Sequence, residues 1–207
     1  MNNSGMAKAG QAQVSNLKIS EIILKTSRLD EMRAWYKVSL GIEPFFEREP
    51  PPGTKPMDLG GQTRASDLRM CFFRLSETYP HTQTIGIFEE PGTQGASIKT
   101  NPGLHHMQLI TRGLEELCTK YEELNRLGFR PHRTSNHGVM TSFYYRDPDS
   151  NVVEITAQNF SSLEAMSAFM ASDVFSKNPS GVELDSANFV ARFRAGEPVE
   201  QLLRLPD

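Results

Sequence analysis

The sequence predicts an α+β fold in which two βαβββ units pair into a half-open barrel, followed by a helical C-terminal extension. Three observations carry that expectation. A segment repeats, Glu21-Ile-Ile-Leu-Lys-Thr26 returning as His106-Met-Gln-Leu-Ile-Thr111, an offset of 85 positions (106 − 21). Within each copy a strand-like stretch gives way to a helical period. Each helical stretch then closes on Leu-Gly, at Leu40-Gly41 and at Leu127-Gly128. A repeated supersecondary unit of this kind leaves one sheet face bare, so two copies are expected to pair and to leave a cavity between them.

In chain order, residues 1–16 read as a flexible N-terminal tail, 17–100 as the first unit, 101–159 as the second and 160–207 as the helical extension. Met32, Trp35 and Tyr36 share one face of the first helix, and Leu114, Leu117 and Tyr121 one face of the second. Gly41 and Gly128 stand where a helix ends on a left-handed residue. Strands are expected over 43–48, 68–75 and 84–88 in the first copy, and over 129–134, 139–145 and 152–157 in the second. The stretch from Pro50-Pro51-Pro52-Gly53 to Gly60-Gly61 has no counterpart in the second copy, and its length is that of a lid or a disordered segment. Ser161 to Glu164 reads as a capping box opening a helix with Leu163, Met166, Phe169 and Met170 on it. Asn178-Pro-Ser-Gly181 breaks that helix, and another is expected over 186–194. The extension holds too little core to fold alone and should pack outside the barrel or on a second subunit, a possible homodimer.

Composition narrows the function. The chain has 207 residues, 38% hydrophobic and 23% charged, with a net charge of −3. That is globular, and no basic stripe marks a nucleic-acid partner. No apolar run is long enough for a membrane span and the first residues lack signal-peptide order, so a cytoplasmic protein with a small-molecule substrate is expected. Cys71 and Cys118 are isolated and read as buried free thiols.

Three side chains stand out for chemistry. The repeat places Glu21 and His106 at one structural position, facing a common cavity from the two copies. Glu154 follows the turn Asp147-Pro-Asp-Ser-Asn151 and sits between Val153 and Ile155, where a carboxylate is costly unless paired or metal-bound. By strand alternation His105 should point to the opposite face. His132, beside Pro131 in an expected edge strand, should be exposed.

Together these residues resemble the vicinal-oxygen-chelate superfamily, which contains glyoxalase I, bleomycin-resistance proteins and extradiol ring-cleaving dioxygenases. The resemblance spans about residues 17–157. Its most specific part is His137, Phe143-Tyr144, Asp147-Pro148 and Glu154, which is similar to the extradiol signature, with Gly103-Leu-His105-His106-Met similar to a ligand strand of those enzymes. The resemblance implies His106 and Glu154 as metal ligands, with Glu21 where extradiol enzymes carry a third, histidine, ligand. It implies Tyr144 as the partner of a bound substrate oxygen and His137 as a nearby donor. Where extradiol enzymes place a further catalytic histidine this chain aligns Gln83, with His81 slightly earlier. The implied cofactor is a divalent metal, Fe(II) first, with Mn(II), Zn, Ni or Mg as alternatives. The leading expectation is a dioxygenase acting on a catechol-like aromatic diol. The alternatives are a non-redox isomerase, lyase or cyclase that stabilises an enolate, and a bleomycin-resistance-like binding protein.

Overall fold

The computed structural model describes residues 15, 17–90, 92–93, 103–177 and 180–205. Most of the expected N-terminal tail, the expected boundary between the two units at 100/101 and the dipeptide Asn178-Pro179 lie outside the described residues. The first unit runs β1 (Glu21–Thr26), α1 (Leu29–Leu40), β2 (Phe46–Arg48), β3 (Arg69–Ser76) and β4 (Gln83–Glu89). The second runs β5 (Met107–Ile110), α2 (Leu114–Arg126), β6 (Arg133–Asn136), β7 (Met140–Arg146) and β8 (Val152–Gln158). Then follow α3 (Leu163–Met170), α4 (Asp173–Lys177), β9 (Val182–Glu183), α5 (Ser186–Arg194) and α6 (Val199–Leu202).

The two sheets repeat one topology. The first has the order β1-β4-β3-β2 and the second β5-β8-β7-β6, extended by β9. In each, the opening strand lies parallel to the last strand of its unit and the other pairings are antiparallel. The result is an α+β fold of four and five strands, open and not a closed barrel.

Both helices end as their glycines require. Gly41 (φ +72°) donates its N–H to Lys37 O, and Gly128 (φ +87°) follows α2. Phe129 N–H then bonds back to Leu124 O, and the Phe129 ring packs edge-on to Trp35. Residues 129–131 are thus committed to ending α2 and meeting α1, which moves β6 to 133–136 from the expected 129–134. Likewise β2 is only three residues long, on the exposed edge of its sheet.

One core joins the two units. Met32, Trp35 and Tyr36 of α1 are buried with Phe73, Ile85 and Ile87, and Leu117, Tyr121 and Leu124 of α2 with Phe143, Val153 and Ile155. Each such side chain contributes roughly 1.5–3 kcal/mol by leaving water. Tyr36 also reaches across, donating its hydroxyl to Asp147 Oδ2 at 3.1 Å in the β7–β8 turn. Burial of both groups pushes the Tyr36 hydroxyl and the Asp147 carboxyl above their ordinary ranges.

The residues before β3 are held against the protein. Asp58 and Thr63 form a bridge, and Thr63 Oγ1 donates to Glu90 at 2.6 Å. Asp67 is buried, accepting from Met57 N–H and from Arg64. Cys71 and Cys118 are buried free thiols, and burial pushes them up to about 12 and about 11.

The extension packs on its own second unit. Phe189 of α5 meets Phe143 edge-on, and Arg194 pairs with Glu115 and Glu122 of α2. Asn136 Nδ2 donates to Leu203 O at the end of α6. Two details differ from the sequence expectation. The cap of α3 is Ser162, whose hydroxyl accepts from Ala165 N–H, instead of Ser161 with Glu164. The extension also contributes a strand, β9, so β6 is not an edge. Among the described residues no helix is long and apolar enough to cross a membrane.

Candidate functional site

Strand alternation divides each face of the second sheet. Phe143 points to α2, where it meets Tyr121, so its neighbour Tyr144 points away. Cross-strand register then builds a row on that far face. Gln108 of β5 stands opposite Glu154 of β8, Glu154 opposite Tyr144 of β7, and Tyr144 opposite Arg133 of β6. His106 stands one residue before β5, two before Gln108.

The row carries a chain of polar contacts. Glu154, only 2% exposed, has Oε2 3.1 Å from His106 Nε2. Its Oε1 accepts from the Tyr144 hydroxyl at 2.8 Å. The same hydroxyl lies 2.9 Å from His137 Nε2. A phenol has one proton, here given to Glu154, so His137 Nε2–H is the donor to Tyr144. Burial and the Glu154 hydrogen bond push the Tyr144 hydroxyl up to about 12. Burial, with the charge of Arg133 among the lesser causes, holds His137 below its usual range, so it is neutral at pH 7.

The donor chemistry fits a divalent ion. Two cis ligands bonded at about 2.1 Å lie roughly 3 Å apart, which matches the 3.1 Å between His106 Nε2 and Glu154 Oε2. A nearly buried carboxylate whose neighbours are an imidazole and a phenol is also the kind of group that a cation stabilises.

Of the residues expected at the site, four come together: His106, Glu154, Tyr144 and His137. Glu21 does not join them. It lies on β1 of the other sheet, exposed, and its carboxylate accepts from Thr84 Oγ1 at 3.2 Å. Among the described residues no three His, Cys, Asp or Glu side chains group as a metal site. Nor do the four line the cavity between the units. A cavity of about 520 Å³ is bordered by Ile22, Ile85, Leu109, Ile155 and Lys120, between the edge strands β1 and β5. His105 departs from its expected place, because it precedes β5 and does not obey strand alternation. Its Nδ1 is 2.7 Å from His106 Nδ1, fixing the second nitrogen of that ring. His132 is exposed, as expected, and His81 is exposed as well. Arg133 was not singled out in the sequence. Its signal was the register of β6 against Tyr144, which the expected strand at 129–134 nearly supplied.

The family model for the Glyoxalase/Bleomycin resistance protein/Dioxygenase superfamily matches residues 18–155. The chain belongs to this superfamily. Among relatives, it is 30% identical over 187 residues to biphenyl-2,3-diol 1,2-dioxygenase 2 of Rhodococcus globerulus, covering 89% of this chain and 86% of that protein. It is 27% identical to biphenyl-2,3-diol 1,2-dioxygenase 3 of the same organism, with the same coverage. A solved glyoxylase/bleomycin resistance protein/dioxygenase domain from Frankia sp. EAN1pec shares the fold, with a TM-score of 0.53 and 19% identity over 70% of this chain and 99% of that one. In this chain the polar row Gln108, Glu154, Tyr144 and Arg133 lies on the second unit.

Proposed function

We propose that this superfamily member is a divalent-metal-dependent dioxygenase of extradiol type, acting on a catechol-like aromatic diol. His106 and Glu154 are the ligands, and Fe(II) is the leading metal. The observation that carries the reading is the contact chain His106, Glu154, Tyr144, His137, built around a carboxylate 2% exposed. The two dioxygenase relatives support it, since each is named for a biphenyl diol.

A bound ion of this kind supplies Lewis acidity towards two vicinal oxygens and one-electron chemistry towards dioxygen. The chain's own groups do the rest. Tyr144, with its hydroxyl pushed up to about 12, keeps its proton at neutral pH and serves as a hydrogen-bond donor. A substrate oxygen beside Glu154 would take the bond that Tyr144 now gives that carboxylate. His137 is neutral and donates its Nε2–H to the phenol, which holds the Tyr144 hydroxyl in place with its own proton free to point at Glu154 or at a substrate oxygen. His105 holds the orientation of His106 from the far side of its ring.

A second reading is favoured by Glu21, an acid where extradiol enzymes carry histidine, held apart from His106 and Glu154. It is a non-redox isomerase or lyase that stabilises an enolate on the same two ligands. An oxygen electrode decides between them. Fe(II)-loaded protein given biphenyl-2,3-diol and simpler catechols is expected to consume one dioxygen per diol. Binding of diols without oxygen uptake, together with solvent deuterium exchange into the ligand, would replace the first reading by the second.

A further inference from the structure

We propose that Arg133 selects an anionic substrate, an aromatic diol bearing a carboxylate on the side of the ring remote from its two hydroxyls. The proposal rests on the reading of His106 and Glu154 as the end where the diol binds. Arg133 is opposite Tyr144, and Tyr144 opposite Glu154, so the arginine lies on the same sheet face two strands from the buried carboxylate. Two strand spacings are about 10 Å, room for a catechol ring with a carboxylate opposite the diol together with the polar contacts at its ends. The Arg133 guanidinium carbon lies 5.0 Å from the centre of the Tyr144 ring, a cation–π contact that holds it beside the phenol. Arg146, two residues beyond Tyr144 on β7, turns to the same face, but its Nη1 donates to Ser150 O at 3.1 Å in the β7–β8 turn, which leaves Arg133 as the guanidinium over the phenol.

The charge of Arg133 is weakly opposed. Its Nε is 3.4 Å from Glu183, a side chain 78% exposed, and its Nη2 donates to Ser180 O at 3.3 Å. An exposed pair contributes at most about 1 kcal/mol. Those two bonds use two of the five N–H groups of a guanidinium, and its fork suits a carboxylate held by two parallel bonds. A merely structural Arg133 would clamp β9 to β6 through Ser180 and Glu183, and that role predicts no preference among ligands.

Calorimetric titration of the anaerobic Fe(II)-loaded protein separates the two roles, with 3,4-dihydroxybenzoate, its methyl ester and catechol as probes. The unaltered protein is expected to bind the acid at least about tenfold more tightly than the ester or catechol, a ratio equal to about 1.4 kcal/mol. Arg133→Met should erase most of that ratio, and Arg133→Lys should keep part of it. Equal affinities for acid and ester in the unaltered protein, no binding of the acid, or a ratio that survives Arg133→Met would each overturn the proposal. The comparison of acid with ester needs no variant, so a misfolded Arg133→Met does not blunt it. Oxygen uptake is read separately: a preference for the acid without oxygen consumption removes the oxygenase reading and leaves the role of Arg133 in place.

Discussion

The two units place the same backbone row under opposite chemistry. In the second sheet the row is Gln108, Glu154, Tyr144 and Arg133; in the first, by the same register, it is Ile23, Gly86, Phe72 and Phe46. Glycine stands where the buried carboxylate stands, and phenylalanine where the phenol and the guanidinium stand. The apolar row closes on itself: Phe72 packs against Phe46 and Phe88 at ring separations of 5.8 and 5.6 Å. A Cβ at Gly86 would run into Ile23 Cδ1 and would come within 2.8 Å of Phe72 Cε1. The missing side chain is therefore what leaves room for those two neighbours. The lesson is that the repeat supplies a frame and the side chains on it decide whether that frame carries a site.

That comparison breaks most visibly at the proposed ligands. Glu154→Ala or His106→Ala is expected to lower metal affinity by more than the roughly 10- to 100-fold that outer partners of a metal site typically cost. Stoichiometric metal in either purified variant, measured by elemental analysis, would dissolve the contrast between the rows. Tyr144→Phe makes the second row resemble the first at one position. Metal content and the native fold should stay intact while turnover falls about 100-fold, the scale for one lost oxyanion donor. Unchanged turnover would make Tyr144 a packing residue like Phe72.

The reciprocal change tests the first row. Gly86→Ala should destabilise by about 1–3 kcal/mol through overpacking against Ile23 and Phe72, read as a shift in urea midpoint. Stability equal to that of the unaltered protein would mean that the row is looser than its contacts indicate. The smallest effect is expected at Glu21. Because its carboxylate is exposed and bonded to Thr84, Glu21→Ala should change metal affinity by less than about tenfold, well short of a lost ligand. A loss as large as that in His106→Ala would make Glu21 a ligand and the first sheet part of the site.

Much of the fold was legible because it is local. The 85-residue offset, the helical faces of Met32, Trp35 and Tyr36, and the turn Asp147–Asn151 before Glu154 depend on neighbours in sequence. So does the meeting of Glu154 with Tyr144, since β7 and β8 form a hairpin whose register the tight turn fixes. His106 was legible through the repeat and the resemblance. The start of β6 was less so, because whether residues 129–131 extend a strand or end a helix depends on Trp35, more than ninety positions away. The strand β9 escaped notice because two residues carry no periodicity.

By itself, then, the sequence determined the repeated βαβββ units, the apolar faces of their helices, the burial of both cysteines and the candidacy of His106, Glu154, Tyr144 and His137. Only the tertiary structure decided which of the symmetric positions come together. The repeat made Glu21 and His106 equivalent, but equivalence in two units says nothing of the distance between them, which is set by how α1, Phe129 and the Tyr36–Asp147 contact seat one unit on the other. The tertiary structure also brought His105 against His106 and set Arg133 over the ring of Tyr144. These contacts join residues through space, and a side-chain period of two or of 3.6 encodes the face a residue occupies without encoding what that face will meet.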